Sequence, residues 1–211
     1  MQGEIKVLLV DDHAVVRQGY RHLLEKSNII VIAECDSGEE AYRLYSEYNP
    51  DVVVIDLSMP GMGGLEALRR IISRDRNAKV LVFSMHDDVI FPTRALQAGA
   101  YGYVTKASAP EVLVEAVTAI AHNRKYVSHD IAQQVAVNNL NGGDILNNLS
   151  AREFEVFTLL AQGRSVEEIA QALHLDYKTI ANVQTRLRQK LNVENSAQLM
   201  LLAMRLNIIK A

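Results

Sequence analysis

Apolar residues recur along this chain in two rhythms. From Ile5 to Ile120, short unbroken apolar runs alternate with segments in which apolar residues return every three or four positions. The runs are Ile5 to Val10, Ile29 to Ala33, Val52 to Ile55, Val80 to Phe83 and Tyr101 to Thr105. Their length and β-branched content predict buried strands. Between them, spacings such as Val15, Val16, Tyr20, Leu23 and Leu24, or Leu65, Leu68, Ile71 and Ile72, predict helices. Ser37 with Glu40 and Ser108 with Glu111 read as capping boxes that open two of these helices, and Gly99 reads as the stop of a helix from Phe91 to Ala98. Leu113, Ala116, Val117 and Ile120 give the last helix its apolar face. Five strands in strict alternation with five helices predict the α/β class, a doubly wound five-stranded parallel sheet with helices on both faces.

Ser128 caps a further short helical stretch, and then the rhythm stops. NNLNGGDILNN, residues 138 to 148, is too rich in Asn and Gly for a helix and suits a tether. Beyond it only helical spacing appears. Ser150 with Glu153 and Ser165 with Glu168 read as capping boxes, with Gly163 as a stop between them. A third helix is predicted from about Tyr177 to Leu191 and a fourth from near Asn195, giving an all-α four-helix domain. The expected domains are 1–122, a linker with a short helix over 123–148, and 149–211.

A chain of 211 residues can bury two such cores. Its net charge of −3 is unevenly distributed: residues 1–144 sum to −5 and 145–211 to +2, the sign of a module that approaches phosphates. With no membrane-length apolar run and no leader-like N-terminus, the expected location is the cytoplasm, away from any membrane. The single cysteine, Cys35, reads as a packing residue.

Chemistry is suggested at the strand ends, where ligands bind in open α/β sheets. Val52 to Ile55 runs into the carboxylate of Asp56, ahead of a Pro- and Gly-rich loop. Taken alone, Asp56 is as well explained as a turn residue. Asp11 and Asp12, Ser84 and Lys106 follow three other strands, however, and acids, a hydroxyl and an ammonium on one rim suit a phosphoryl group. Mg²⁺ prefers oxygen ligands such as this acidic set. Asp56 would be the nucleophile, with Lys106 and Ser84 stabilising phosphoryl oxygens. His13 and His86 lie nearby, but solvated or hydrogen-bonded side chains are the simpler reading of both.

VDDH at Val10 to His13, IDLSMPGMGG at Ile55 to Gly64, FS at Phe83 and Ser84, and GYVTK at Gly102 to Lys106 resemble the receiver domain of two-component response regulators. The resemblance spans roughly residues 4–122 and implies a flavodoxin-like fold. It also implies Asp56 as phospho-acceptor, Mg²⁺ held by Asp11, Asp12, Asp56 and the Ser58 carbonyl, and Ser84 and Tyr103 as switch residues beside Lys106. A sensor histidine kinase is the implied partner. Ala107 departs from the proline common after the lysine, which puts a cis peptide there in doubt.

In the tail, Ile180, Val183, Leu187 and Leu191 share one face of the third helix, opposite Lys178, Asn182, Thr185 and Gln189. Asp and Glu are absent from 177–193, unlike an ordinary solvated face, and the pattern fits a helix-turn-helix entering the major groove. Leu149 to Arg205 is similar to the LuxR-type domain of NarL/FixJ response regulators, and FPTR, GRSVEEIA and IAQQ resemble the GacA/UvrY subgroup. The DNA-facing residues this implies are Lys178, Thr179, Ala181, Asn182, Gln184, Thr185, Arg188 and Lys190. Ala181 and Val183 replace the family's Lys and His, which shifts base readout toward Asn182, Thr185 and Gln184. The expected function is a phosphorylation-controlled transcription factor on double-stranded DNA, a homodimer when active, with no enzymatic activity beyond phosphoryl transfer to its own Asp56. Two alternatives are a ligand-sensing regulator with the same tail, and an aspartyl-phosphate phosphatase, although the latter would want a second acid where Ser58 stands.

Overall fold

Six parallel strands, not five, form the sheet of the first unit: β1 (Ile5–Val10), β2 (Ile29–Cys35), β3 (Val52–Ile55), β4 (Val80–Ser84), β5 (Gly102–Thr105) and β6 (Tyr126–Val127). The computed structural model describes residues 4–87, 89–140, 145–206 and 208–209, and it divides into two units, Met1–Asn138 and Asn139–Ala211. Strand order is β2-β1-β3-β4-β5-β6, so the direction of winding reverses between β1 and β3. β6 adds to β5 through Gly102 with Tyr126 and Tyr103 with Val127. Two half-buried residues are too few to carry a period, which is why the spacing omits this strand.

Helices α1 (Ala14–Glu25), α2 (Gly38–Tyr48), α3 (Gly64–Arg74), α4 (Ile90–Gln97) and α5 (Pro110–Ala121) connect the strands, and α6 (His129–Leu140) follows β6. β3 is buried along its whole length, as four consecutive β-branched residues require. Val7, Leu9, Val52, Val54, Leu81 and Val104 pack with Leu113, Val117 and Ile120 of α5 in the main core. Cys35 closes β2, buried, and burial pushes its thiol up to about 12. β6 and α6, assigned to a linker by the sequence boundary at 122, belong largely to this unit, with Ile131 fully buried.

Two expected caps are not made. Ser37 is the N-cap of α2, but its side chain forms no cap bond, and Glu39, two residues on, accepts from the Met62 N–H at 2.8 Å. At α5 the N-cap is Ala109 with Pro110 after it, while Ser108 Oγ lies 3.0 Å from Thr105 Oγ1. The peptides of the described residues are all trans, including that before Ala107.

The second unit holds α7 (Ala151–Ala161), α8 (Val166–Ala172), α9 (Tyr177–Leu191) and α10 (Ser196–Arg205) after a 3-10 turn, Ile145–Asn148. Here both capping boxes are complete, Ser150 with Glu153 and Ser165 with Glu168. Gly163 takes φ +83 between them, the left-handed stop that glycine adopts without cost. Phe154, Phe157, Ile169, Ile180, Val183, Leu187, Leu199 and Ala203 form the core.

Candidate functional site

Register sets the rim of the sheet. Val10 pairs with Ile55, and Ser84 with Thr105, so the residues that follow β1, β3 and β5 emerge at one level beside the end of β4. Asp11 and Asp56, both buried, are bridged by Lys106, whose Nζ lies 2.6 Å from Asp11 Oδ2 and 2.7 Å from Asp56 Oδ2. Burial alone would pull the Lys106 ammonium down, but Asp56 and Asp11 outweigh it and hold it above the usual lysine range.

The backbone around Asp56 has no slack. A Cβ on Gly64 would stand 1.9 Å from the Asp56 carbonyl oxygen, so α3 can start against the strand end only with glycine there. Ser58 N–H donates to Asp56 Oδ1 at 3.3 Å. Where a phosphatase would need its second acid, the Ser58 hydroxyl lies 3.0 Å from His86 Nε2.

Asp12 is half-buried. One ligand atom from each of Asp11, Asp12, His13 and Asp56 falls within 4.8 Å of the others. Within this set His13 Nδ1 pairs with Asp12 Oδ1 at 2.8 Å. Oxygen-rich and acidic, the set fits Mg²⁺.

Ser84 is fully buried, and its hydroxyl accepts from the His86 N–H at 3.4 Å. Tyr103 is fully buried as well and donates through its hydroxyl to the His86 carbonyl at 2.8 Å. Burial lowers the His86 imidazole below the usual histidine range, against the pull of Asp56 and Asp87. One residue of this rim, Arg17, was missed in the sequence, and another, His86, was understated. Arg17 of α1 donates to the Asp11 carbonyl six residues before it, and His86 joins Ser58 of the loop after β3, Ser84 of β4 and Tyr103 of β5, so its partners come from separate parts of the chain.

On the second unit, α9 presents Lys178, Thr179, Asn182, Thr185, Arg186 and Gln189 to solvent. Ala181, Gln184 and Arg188 are half-buried at its flanks. The Thr185 hydroxyl donates to the Ala181 carbonyl within the helix, and Arg188 donates to Ser196 Oγ at 3.2 Å. Lys190, though exposed, donates to Glu153 at 2.7 Å and to the Asn148 carbonyl at 3.1 Å. Burial would raise Glu153, but its bonds to Lys190 and Ser150 hold it below the usual carboxylate range. No helix among the described residues is long and apolar enough to cross a membrane.

Comparison with known proteins accords with both halves. Residues 7–118 match the family described as the response regulator receiver domain, and residues 147–203 match bacterial regulatory proteins of the luxR family. The chain is 36% identical over 211 residues to the response regulator UvrY of Escherichia coli (strain K12), spanning 98% of this chain and 97% of UvrY. It is 37% identical to the response regulator GacA of Pseudomonas aeruginosa, spanning 98% of this chain and 99% of GacA. Among solved structures, RcsB from Salmonella enterica serovar Typhimurium, bound to promoter rprA with the phosphomimetic BeF3-, is 26% identical. It aligns over 94% of this chain and 97% of RcsB, with a TM-score of 0.67.

Proposed function

This chain belongs to the two-component response regulators that join a receiver domain to a LuxR-type DNA-binding domain, and from that premise we propose that Asp56 is its phospho-acceptor and α9 its recognition helix. The protein is a phosphorylation-controlled, DNA-binding transcription regulator. The observation that carries the site assignment is Lys106 bridging Asp11 and Asp56 at the carboxyl end of the sheet.

The donor is a phosphohistidine of a sensor kinase. Asp56 attacks phosphorus, the N–P bond breaks, and the imidazole leaves with the electron pair and takes up a proton. Asp11, Asp12, Asp56 and the Ser58 carbonyl would hold Mg²⁺, which supplies positive charge to the phosphoryl oxygens when bound. Lys106 exchanges its carboxylate contact for a phosphoryl oxygen, and the Ser84 hydroxyl donates to another. The new group adds about −1.5 to −2 charges. Ser84 and Tyr103 reposition in response, a coupling of about 1–3 kcal/mol.

Activation brings two copies together so that two α9 helices enter half-sites about 34 Å apart. Exposed Leu201 on α10 is the candidate contact, since Leu199 and Ala203 are spent on the core. In DNA, Asn182, Thr185 and Gln184 read base edges while Lys178 and Thr179 meet backbone phosphate. Acetyl phosphate with Mg²⁺, read by phosphate-affinity electrophoresis, labels wild type and leaves Asp56→Asn unlabelled. Labelling of the Asn variant to the same extent overturns the assignment.

A further inference from the structure

We propose that His86 is a positioning residue that latches the segment between β4 and α4 in its unphosphorylated arrangement. The inference rests on the phospho-switch reading above and adds a part to it. His86 is half-buried between Met85 and Asp87, both exposed, so the chain turns this one side chain inward.

Four elements meet at that residue. The ring stacks on Phe91 of α4, with centroids 3.7 Å apart and planes 10° from parallel. Its Nε2 lies 3.0 Å from the Ser58 hydroxyl, on the loop after β3. The backbone N–H donates to Ser84 Oγ at the end of β4, and the carbonyl accepts from Tyr103 of β5. A solvated surface histidine has no need of so many partners. Here the ring fixes where the backbone sits, and the backbone engages both groups read as switch residues.

The arrangement gives charge at Asp56 a short physical route. Ser58 stands two residues beyond Asp56 and its N–H is bonded to the carboxylate, so a phosphoryl group there disturbs Ser58 directly. Ser58 carries the disturbance to the His86 ring, and the ring carries it to Phe91. Because Ser84 Oγ accepts the His86 N–H, a movement of Ser84 toward a phosphoryl oxygen acts on the His86 backbone as well. Release of the ring from Ser58 is therefore coupled to the movement of Ser84 and Tyr103.

The test uses full-length Ser58→Ala, His86→Phe and the double variant, with no phosphodonor. The phenylalanine keeps a ring against Phe91, so a folded protein is retained, and Ser58→Ala provides an independent removal of the same bond. Hydrogen exchange across residues 85–97 should speed up about 2- to 10-fold in either single variant, the factor one net hydrogen bond supplies. The double variant should exchange no faster than the faster single one, because both remove one shared contact. Exchange at the wild-type rate, or effects that simply add, overturns the latch. Promoter DNA binding of the wild type with and without acetyl phosphate decides the underlying reading separately. A wild type indifferent to the phosphodonor sinks the switch, whereas a responsive wild type with silent variants sinks only the latch.

Discussion

Lys106 Nζ lies 2.7 Å from Asp56 Oδ2, so the cation assigned to the phosphoryl group already neutralises the acceptor before any phosphate arrives. The same ammonium is 2.6 Å from Asp11, and all three side chains are nearly removed from solvent. Removing one partner of such a buried set is far costlier than the set's net worth, because the remaining charges stay behind uncompensated.

Lys106→Met should therefore destabilise the first unit by about 3–5 kcal/mol in chelator. Added Mg²⁺ should recover more stability in this variant than in wild type, since the ion neutralises the two stranded carboxylates. Thermal unfolding with and without Mg²⁺ measures both effects, and equal Mg²⁺ shifts in the two proteins would contradict the account.

Gly64→Ala tests the seat of the acceptor. Its Cβ would lie 1.9 Å from the Asp56 carbonyl, a backbone atom that cannot rotate away. Overpacking of this kind costs about 1–3 kcal/mol. Labelling by acetyl phosphate should slow along with it, because relief of the clash displaces Asp56. A variant that loses stability but labels at the wild-type rate would show that the clash is relieved on the α3 side.

On α9 the exposed cation and the exposed amide should separate by kind. Lys178→Ala should weaken specific and unrelated DNA alike and reduce the salt slope by about one. Asn182→Ala should leave that slope unchanged and alter sequence preference, at about 1–3 kcal/mol for the base it reads. Binding titrations at several salt concentrations distinguish them. An unchanged slope in Lys178→Ala removes its phosphate contact.

Glu153 makes a pH prediction. Its folded value is held below the usual carboxylate range by Lys190 and Ser150, outweighing burial, so it stabilises the fold above its unfolded value of about 4.3. That contribution is lost as pH falls through the folded value. Lys190→Met should lower amide protection in α7 and α9 by about 1–3 kcal/mol near pH 7. It should also shrink the further loss on going to about pH 4. Protection factors at the two pH values read both changes, and an unaltered acid slope would mean that the pair does not govern it.

How much of this was legible in the sequence depended on the range of the contact involved. β3 could be read because Val52 to Ile55 needs two apolar faces, and only a central strand provides them. Asp11, Asp56 and Lys106 stood out because each directly follows a strand, and parallel register brings strand ends together. The serine–glutamate pairs show the limit. Ser150 and Ser165 form complete boxes, yet Ser37 makes no cap bond and Ser108 lies one residue before the cap. A local motif states what two residues can do, and the neighbouring loop decides: Glu39 beside the first pair is drawn to Met62, and Pro110 sets the second helix start. His86 was legible only as a histidine near the rim, since its partners come from the loop after β3, from β4, from β5 and from α4. Lys190 appeared as a basic residue on α9, but its direction depends on Glu153, 37 positions away.

Cys35 offers something practical. It is the one sulfhydryl in the sequence, lies buried at the end of β2, and has its ionisation pushed up to about 12, so almost no nucleophilic thiolate exists near neutrality. Maleimide dyes or spin labels should pass it by. The natural chain is thus already a silent background, in which one cysteine placed on each unit can report how far apart the two halves stand before and after phosphate is loaded.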